Sequence, residues 1–180
     1  DYCLPHLMDQ YEEYKDFFIK SQENKRHIMM DNSLHELGVP YSEDRLFYWL
    51  DWLKPQEFFV ADYWEDKTQS IVSAKKWINY QKNYPKVTFI AVVQGKSYAE
   101  VLECYQTYKD LGYKKIAFSY GASYYNDICP HPNKNLGKAL GRIQVISQLF
   151  KDKIISKSDS IHLLGCSVPQ EFGWYQDMPF

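Results

Sequence analysis

No apolar run in this sequence approaches the ~18–20 residues that span a bilayer, so no membrane partner is expected. A signal-peptide pattern is also missing. The chain opens at Asp1 rather than Met and is expected to be part of a longer protein. Neither charge dominates: 21 basic residues stand against 23 acidic ones, a formal net charge of −2. That excludes a sequence-wide basic field of the kind that grips phosphates, while leaving room for a local patch. Cysteine is sparse, and Cys3, Cys104, Cys129 and Cys166 form no CxxC pair. Disulfide and structural zinc frameworks need such spacing, so free thiols in a reducing, cytoplasmic setting are expected. Cys129 and His131 lie two apart, but no further ligands accompany them, and a loop thiol beside an unrelated histidine is the simpler reading. His6, His27, His35, His131 and His162 show no metal spacing either. Neither a metal nor a cofactor is expected.

Aromatic residues are abundant, with 16 Tyr, 10 Phe and 5 Trp, which excludes a disordered chain. The 180 residues fit one domain, taken as 1–180. Short apolar runs alternate with longer amphipathic stretches. The expected strands are Tyr2–Leu7, His27–Met30, Glu57–Ala61, Thr88–Val93, Lys115–Ser119 and Ser160–Gly165. They are mostly continuous in hydrophobicity, as strands buried on both faces of a parallel sheet are. The expected helices are Tyr11–Ser21, Ser42–Leu53, Lys67–Tyr80, Ser97–Leu111 and Leu136–Phe150, with Ser42 as an N-cap and Gly112 as a helix stop. Tyr120–Asn135 reads as a long polar and aromatic loop.

A strand–helix repeat demands crossovers and hence a mostly parallel sheet, closed as a barrel or open and doubly wound. The first strand lacks the glycine-rich phosphate turn of dinucleotide folds, which disfavours the open form. The expected fold is α/β: a TIM-like (β/α) barrel, incomplete, with about six units against the usual eight. Its raw edges could be completed by a second copy, so a homo-oligomer is considered.

In such a barrel the strand ends share one rim, where barrel enzymes build their sites. Here the second strand runs into Asp31, the third into Asp62, the fourth into Gln94 and Gly95, the fifth into Ser119-Tyr120-Gly121 and the sixth into Gly165. A lone strand-end aspartate is most often a cap. Two at successive rim positions suit acid–base work, or recognition of a ligand rich in N–H donors. Gln94 adds a donor and an acceptor, and Gly95, Gly121 and Gly165 could admit a flat ligand close to backbone N–H groups. Trp64, Trp174, Tyr120, Tyr124 and Tyr125 could stack on a base or simply pack.

Taken in order, Ile28-Met29-Met30-Asp31-Asn32-Ser33, Phe58-Phe59-Val60-Ala61-Asp62, Phe89-Ile90-Ala91-Val92-Val93-Gln94-Gly95 and His162-Leu163-Leu164-Gly165-Cys166-Ser167 resemble the strand ends of the tRNA-guanine transglycosylase family, including its phage and bacterial relatives that act on DNA. In that family an aspartate attacks the anomeric carbon, guanine leaves, and a 7-deazaguanine base takes its place. The resemblance implies tRNA or DNA and a 7-deazaguanine-type base as partners. It makes Asp31 the acid/base residue, sets Asp62 and Gln94 on the Watson–Crick edge of the base, and lines the pocket with Gly121 and Leu164. Asn32-Ser33-Leu34 departs from the family's glycine-bearing turn, and Ser119-Tyr120-Gly121 from a Gly-Gly pair. The family's nucleophile and zinc segment lie beyond the last matched strand, so this chain alone is expected to exchange bases weakly or not at all. A noncatalytic module for a purine-like base or nucleic acid is the alternative, and an unrelated barrel enzyme the third reading.

Overall fold

In the computed structural model, which describes residues 1–166, 168–176 and 178, the strands are β1 (Tyr2–Cys3), β2 (Met29–Met30), β3 (Glu57–Phe59), β4 (Thr88–Val93), β5 (Lys115–Phe118) and β6 (Ser160–Leu163). Ser167 of the last resembling segment lies outside the described residues. The helices are α1 (Pro5–Gln10), α2 (Glu12–Glu23), α3 (Leu34–Leu37), α4 (Glu43–Leu53), α5 (Lys67–Ile78), α6 (Tyr98–Asp110), α7 (Tyr124–Ile128), α8 (Lys134–Lys151) and α9 (Glu171–Trp174). All five strand pairings are parallel, and the strands lie in chain order from β1 to β6. A doubly wound sheet would reverse its order at a switch point, and this one does not.

The sheet curls. Phe59 on β3 meets the Tyr2 ring of β1 at 5.9 Å between centroids and the His162 ring of β6 at 5.1 Å. In a flat sheet β3 and β6 would stand three strand spacings apart, ~14 Å, too far for ring contact. The contact therefore requires the concave face of a half barrel. Phe59, Ile90, Val92 and Ala117 fill that face. The alternate residues Phe58, Phe89, Ala91 and Ile116 point outward into the larger core beneath the helices. There Trp77 of α5 is fully buried, stacked on Phe47 at 4.5 Å and edge-on to Phe58.

Local chemistry explains the boundaries. Ser97 caps α6 by accepting from Glu100 N–H. At its other end Gly112 takes φ +88°, with Gly112 N–H on Lys109 O and Tyr113 N–H on Tyr108 O, the paired bonds of a Schellman stop. Ser42 does occupy the N-cap of α4, although its hydroxyl makes no capping bond. Two expectations are corrected. The first strand covers only Tyr2–Cys3, because Pro5 starts a helix that carries His6 with it. The segment expected to be a loop from Tyr120 contains α7, whose Tyr124 and Tyr125 are buried beside α8. No helix among the described residues is long and apolar enough to cross a membrane.

Because Phe59 joins three strands across the concave face, Phe59→Ala should destabilise the fold by roughly 3–5 kcal/mol. Phe172→Ala, at a side chain 75 % exposed, should change stability by less than about 0.5 kcal/mol. Urea unfolding of both variants checks this, and equal losses would contradict the curled packing.

Candidate functional site

Parallel strands deliver their carboxyl ends to one rim, and a cavity of about 250 Å³ opens there. Asp31, Asp62, Gln94, Gly121, Leu164 and Gly165 all line it, so residues scattered across 135 positions of the sequence converge. Gly95 does not line it. A Cβ there would meet Glu100 Cβ at 2.9 Å, so Gly95 lets the N-terminus of α6 pack.

Asp62 sits at the centre of the polar wall. Asn32 Nδ2 donates to one carboxylate oxygen at 2.7 Å, and Gln94 Nε2 donates to the other at 2.6 Å. Both amides are held in turn. Asn32 Nδ2 also reaches Val60 O at 2.8 Å, and Asn32 Oδ1 accepts from Leu34 N–H at 3.0 Å. Gln94 Oε1 accepts from Glu65 N–H at 2.9 Å. These contacts define both amide orientations: with O and N exchanged, a carbonyl would face a carboxylate. Burial of Asp62 pushes its pKa up to about 7, the two amide bonds oppose the rise, and the Asp31 charge adds to it. Gln94 thus supports Asp62, and much of its hydrogen-bonding capacity is already committed.

Asp31 follows β2, its N–H bonded to Cys3 O at 2.8 Å. Burial raises its carboxyl to about 6, against the pull of the Asn32 and Ser33 N–H groups and the Tyr2 hydroxyl, while Glu36 pushes it higher. The two buried aspartates titrate in the range where a side chain both gives and takes protons at neutral pH. Ser33, where the resembled turn carries glycine, adopts φ +63°. A non-glycine residue in that region is strained, and the His6 Nδ1–Ser33 Oγ contact at 2.8 Å helps to hold it there.

Aromatic rings form the other walls. Trp64, 40 % exposed, lies against Gly121 so closely that a Cβ there would stand 2.6 Å from its ring. Tyr120 crowds Gly165 in the same way, at 2.8 Å, and Lys138 Nζ stands 5.7 Å from the Tyr120 centroid. Both glycines make room for a wall residue. The rim beyond β6 is braced from behind by Arg142 of α8. Its guanidinium donates to Leu164 O at 2.6 Å and Gly165 O at 2.9 Å, and pairs with buried Glu171 at 2.6 Å. Tyr124 and Tyr125 do not line the cavity.

Sequence reasoning did not find Tyr2, Glu36 or the roles of Asn32 and Arg142. Arg142 left a signal: with Ala139, Ile146 and Leu149 it falls on the buried stripe of α8, where an unpaired charge would be costly. Asn32 showed only as a departure from the resembled turn. Its partner Asp62 is 30 residues away, and no local pattern encodes that contact.

No protein-family model matches the chain, and no curated protein matches it. Fold and site define an α/β protein with an acidic, aromatic-walled cavity at the carboxyl rim of a curled parallel sheet.

A carboxyl whose pKa is higher folded than unfolded binds more protons in the folded state. Its contribution to stability is full below the ordinary value of 3.8 and is lost as pH rises through about 6 for Asp31 and about 7 for Asp62. The protein should therefore lose stability between pH 4 and 8, and Asp62→Asn should lose distinctly less. Urea unfolding at pH 4.5, 6 and 8 measures the difference, and parallel curves for the two proteins would refute the buried-carboxylate account.

Proposed function

We propose that this chain is the base-binding part of a base-exchange transglycosylase, which replaces guanine in tRNA or DNA by a 7-deazaguanine base. On this reading the six strand–helix units belong to a (β/α) barrel of the TIM type. The observation that carries the proposal is Asp62. It is buried, clamped on both oxygens by amide donors, and lines a cavity with aromatic walls. Its remaining acceptor sites suit the adjacent ring and exocyclic N–H groups of guanine and 7-deazaguanine. Adenine offers an unprotonated ring nitrogen at that place and would leave the carboxylate unpaired. Trp64 and Tyr120 offer ring faces for stacking, worth roughly 1–3 kcal/mol per base. Asp31 is poised to move a proton on the departing or arriving base, a contribution of roughly 10²–10⁴ in rate. Covalent chemistry would need a carboxylate on the opposite face of the sugar, which Asp31 cannot supply while acting as the acid.

Calorimetry with guanine, 7-deazaguanine and adenine tests the recognition. The two guanine-like bases should bind and adenine should not. Asp62→Asn should weaken binding by about 1.5–3 kcal/mol, the worth of a hydrogen bond to a charged group. Incorporation of labelled base into tRNA and into duplex DNA tests the chemistry. Binding without exchange by a longer form of the protein on either polymer would favour a noncatalytic base-binding module. Equal affinity for adenine would sink the proposal.

A further inference from the structure

We propose that Asn32 is a positioning residue for the candidate site, one that ties the turn carrying Asp31 to the Asp62 carboxylate and keeps Asp62 a fixed acceptor for N–H donors of the ligand. This rests on the base-binding reading given above and adds to it a residue that the resemblance does not supply.

The geometry is specific. Asn32 is 5 % exposed, and both ends of its amide are engaged. Its Nδ2 bridges Val60 O and Asp62 Oδ1, one on the strand-end backbone of β3 and the other on the acidic side chain two residues further on. Its Oδ1 accepts from Leu34 N–H, an Asx-type turn that closes over the left-handed Ser33. One side chain thus fixes the path of the chain after Asp31 and the plane of the Asp62 carboxylate together. Gln94 holds the second oxygen from the other side. A carboxylate gripped by one donor on each oxygen cannot swing its plane, and its unused lone pairs keep a constant direction. An alanine at 32 would leave one oxygen ungripped in a site that water hardly reaches, and a serine is too short to span the same gap.

The titratable groups electrostatically coupled to Asp62 are Asp31 at the end of β2, Tyr2 on β1, and Cys104 and Tyr108 on α6. None is altered by Asn32→Ala, which adds no charge, so a change in Asp62 titration in that variant would report the lost donor. Two variants separate positioning from folding. Asn32→Ala removes both amide functions. Asn32→Asp keeps the acceptor for Leu34 N–H, and with it the turn that Asn32→Ala loses, but it gives up the Nδ2 donor to both Val60 O and Asp62 and adds a carboxyl beside Asp62.

The experiment is carboxyl-carbon NMR titration of Asp62 in the free protein, paired with calorimetry using 7-deazaguanine as the probe. Asn32→Ala should raise the Asp62 titration midpoint, Asn32→Asp, with its added charge, should raise it further, and both should weaken the probe roughly 10- to 100-fold at pH 8. A purely structural role predicts a lower melting temperature with an unchanged Asp62 midpoint. A folded Asn32→Ala or Asn32→Asp protein with wild-type midpoint and wild-type affinity would overturn the proposal. If the wild type binds no base, the base-binding reading fails, and the Asp62 midpoint alone still decides whether Asn32 grips the carboxylate.

Discussion

Every strand in this protein pairs parallel to its neighbour, and that single constraint organises the rest. A parallel ladder sends each chain end to the same side, so each return must be a crossover that lays a helix on the outer face. Helices then cover one face and leave the other to the strands' own side chains. Only a small apolar set, with Phe59 at its middle, fills the concave side. That narrow filling lets the sheet curl until side chains of β1 and β6 both touch β3. The curl converts a row of strand ends into the wall of a cavity.

At that wall the protein accepts an electrostatic cost. Two carboxyl groups, Asp31 and Asp62, are buried with their pKa values raised into the range of about 6 to 7, and the charge of Asp31 makes ionisation of Asp62 harder. Amide side chains and backbone N–H groups compensate in part. Asn32 and Gln94 serve Asp62, while the turn at Asn32 and Ser33 serves Asp31. Polar groups arranged this way, before any ligand arrives, need little reorganisation when a donor-rich molecule enters. The strained φ at Ser33 and the buried Arg142–Glu171 pair belong to the same economy, since each spends conformational or desolvation energy to hold a rim segment in place.

Much of the architecture was legible in the residues. The strand Thr88–Val93 matches its expected bounds, because its five apolar residues in succession, Phe89 to Val93, are buried on both faces of a parallel sheet. Helix α6 begins beside Ser97 and stops just before Gly112, because capping chemistry is local, while α4 begins beside a Ser42 whose hydroxyl makes no capping bond. The apolar run through Leu4 and Leu7 suggests a longer first strand than exists, because Pro5 starts a helix. The region after Tyr120 has the local composition of a loop, with proline and asparagine dominating its far half. The packing of Tyr124 and Tyr125 beside α8, invisible from local sequence, holds a short helix there.

By itself the sequence determined the α/β alternation, the strand-end positions of Asp31, Asp62, Gln94 and Leu164, and the absence of metal-ligand spacing. These follow from periodicity and from the chemistry of neighbouring residues, which act over a few positions of chain. The tertiary structure decided which of those strand ends share a cavity, that Gly95 belongs to helix packing, and that Gly121 and Gly165 yield space to Trp64 and Tyr120. It alone set the ionisation of the two aspartates. Desolvation and the reach of an amide from Asn32 to Asp62 depend on what folding brings within 3 Å, across 30 residues of sequence that carry no mark of the contact.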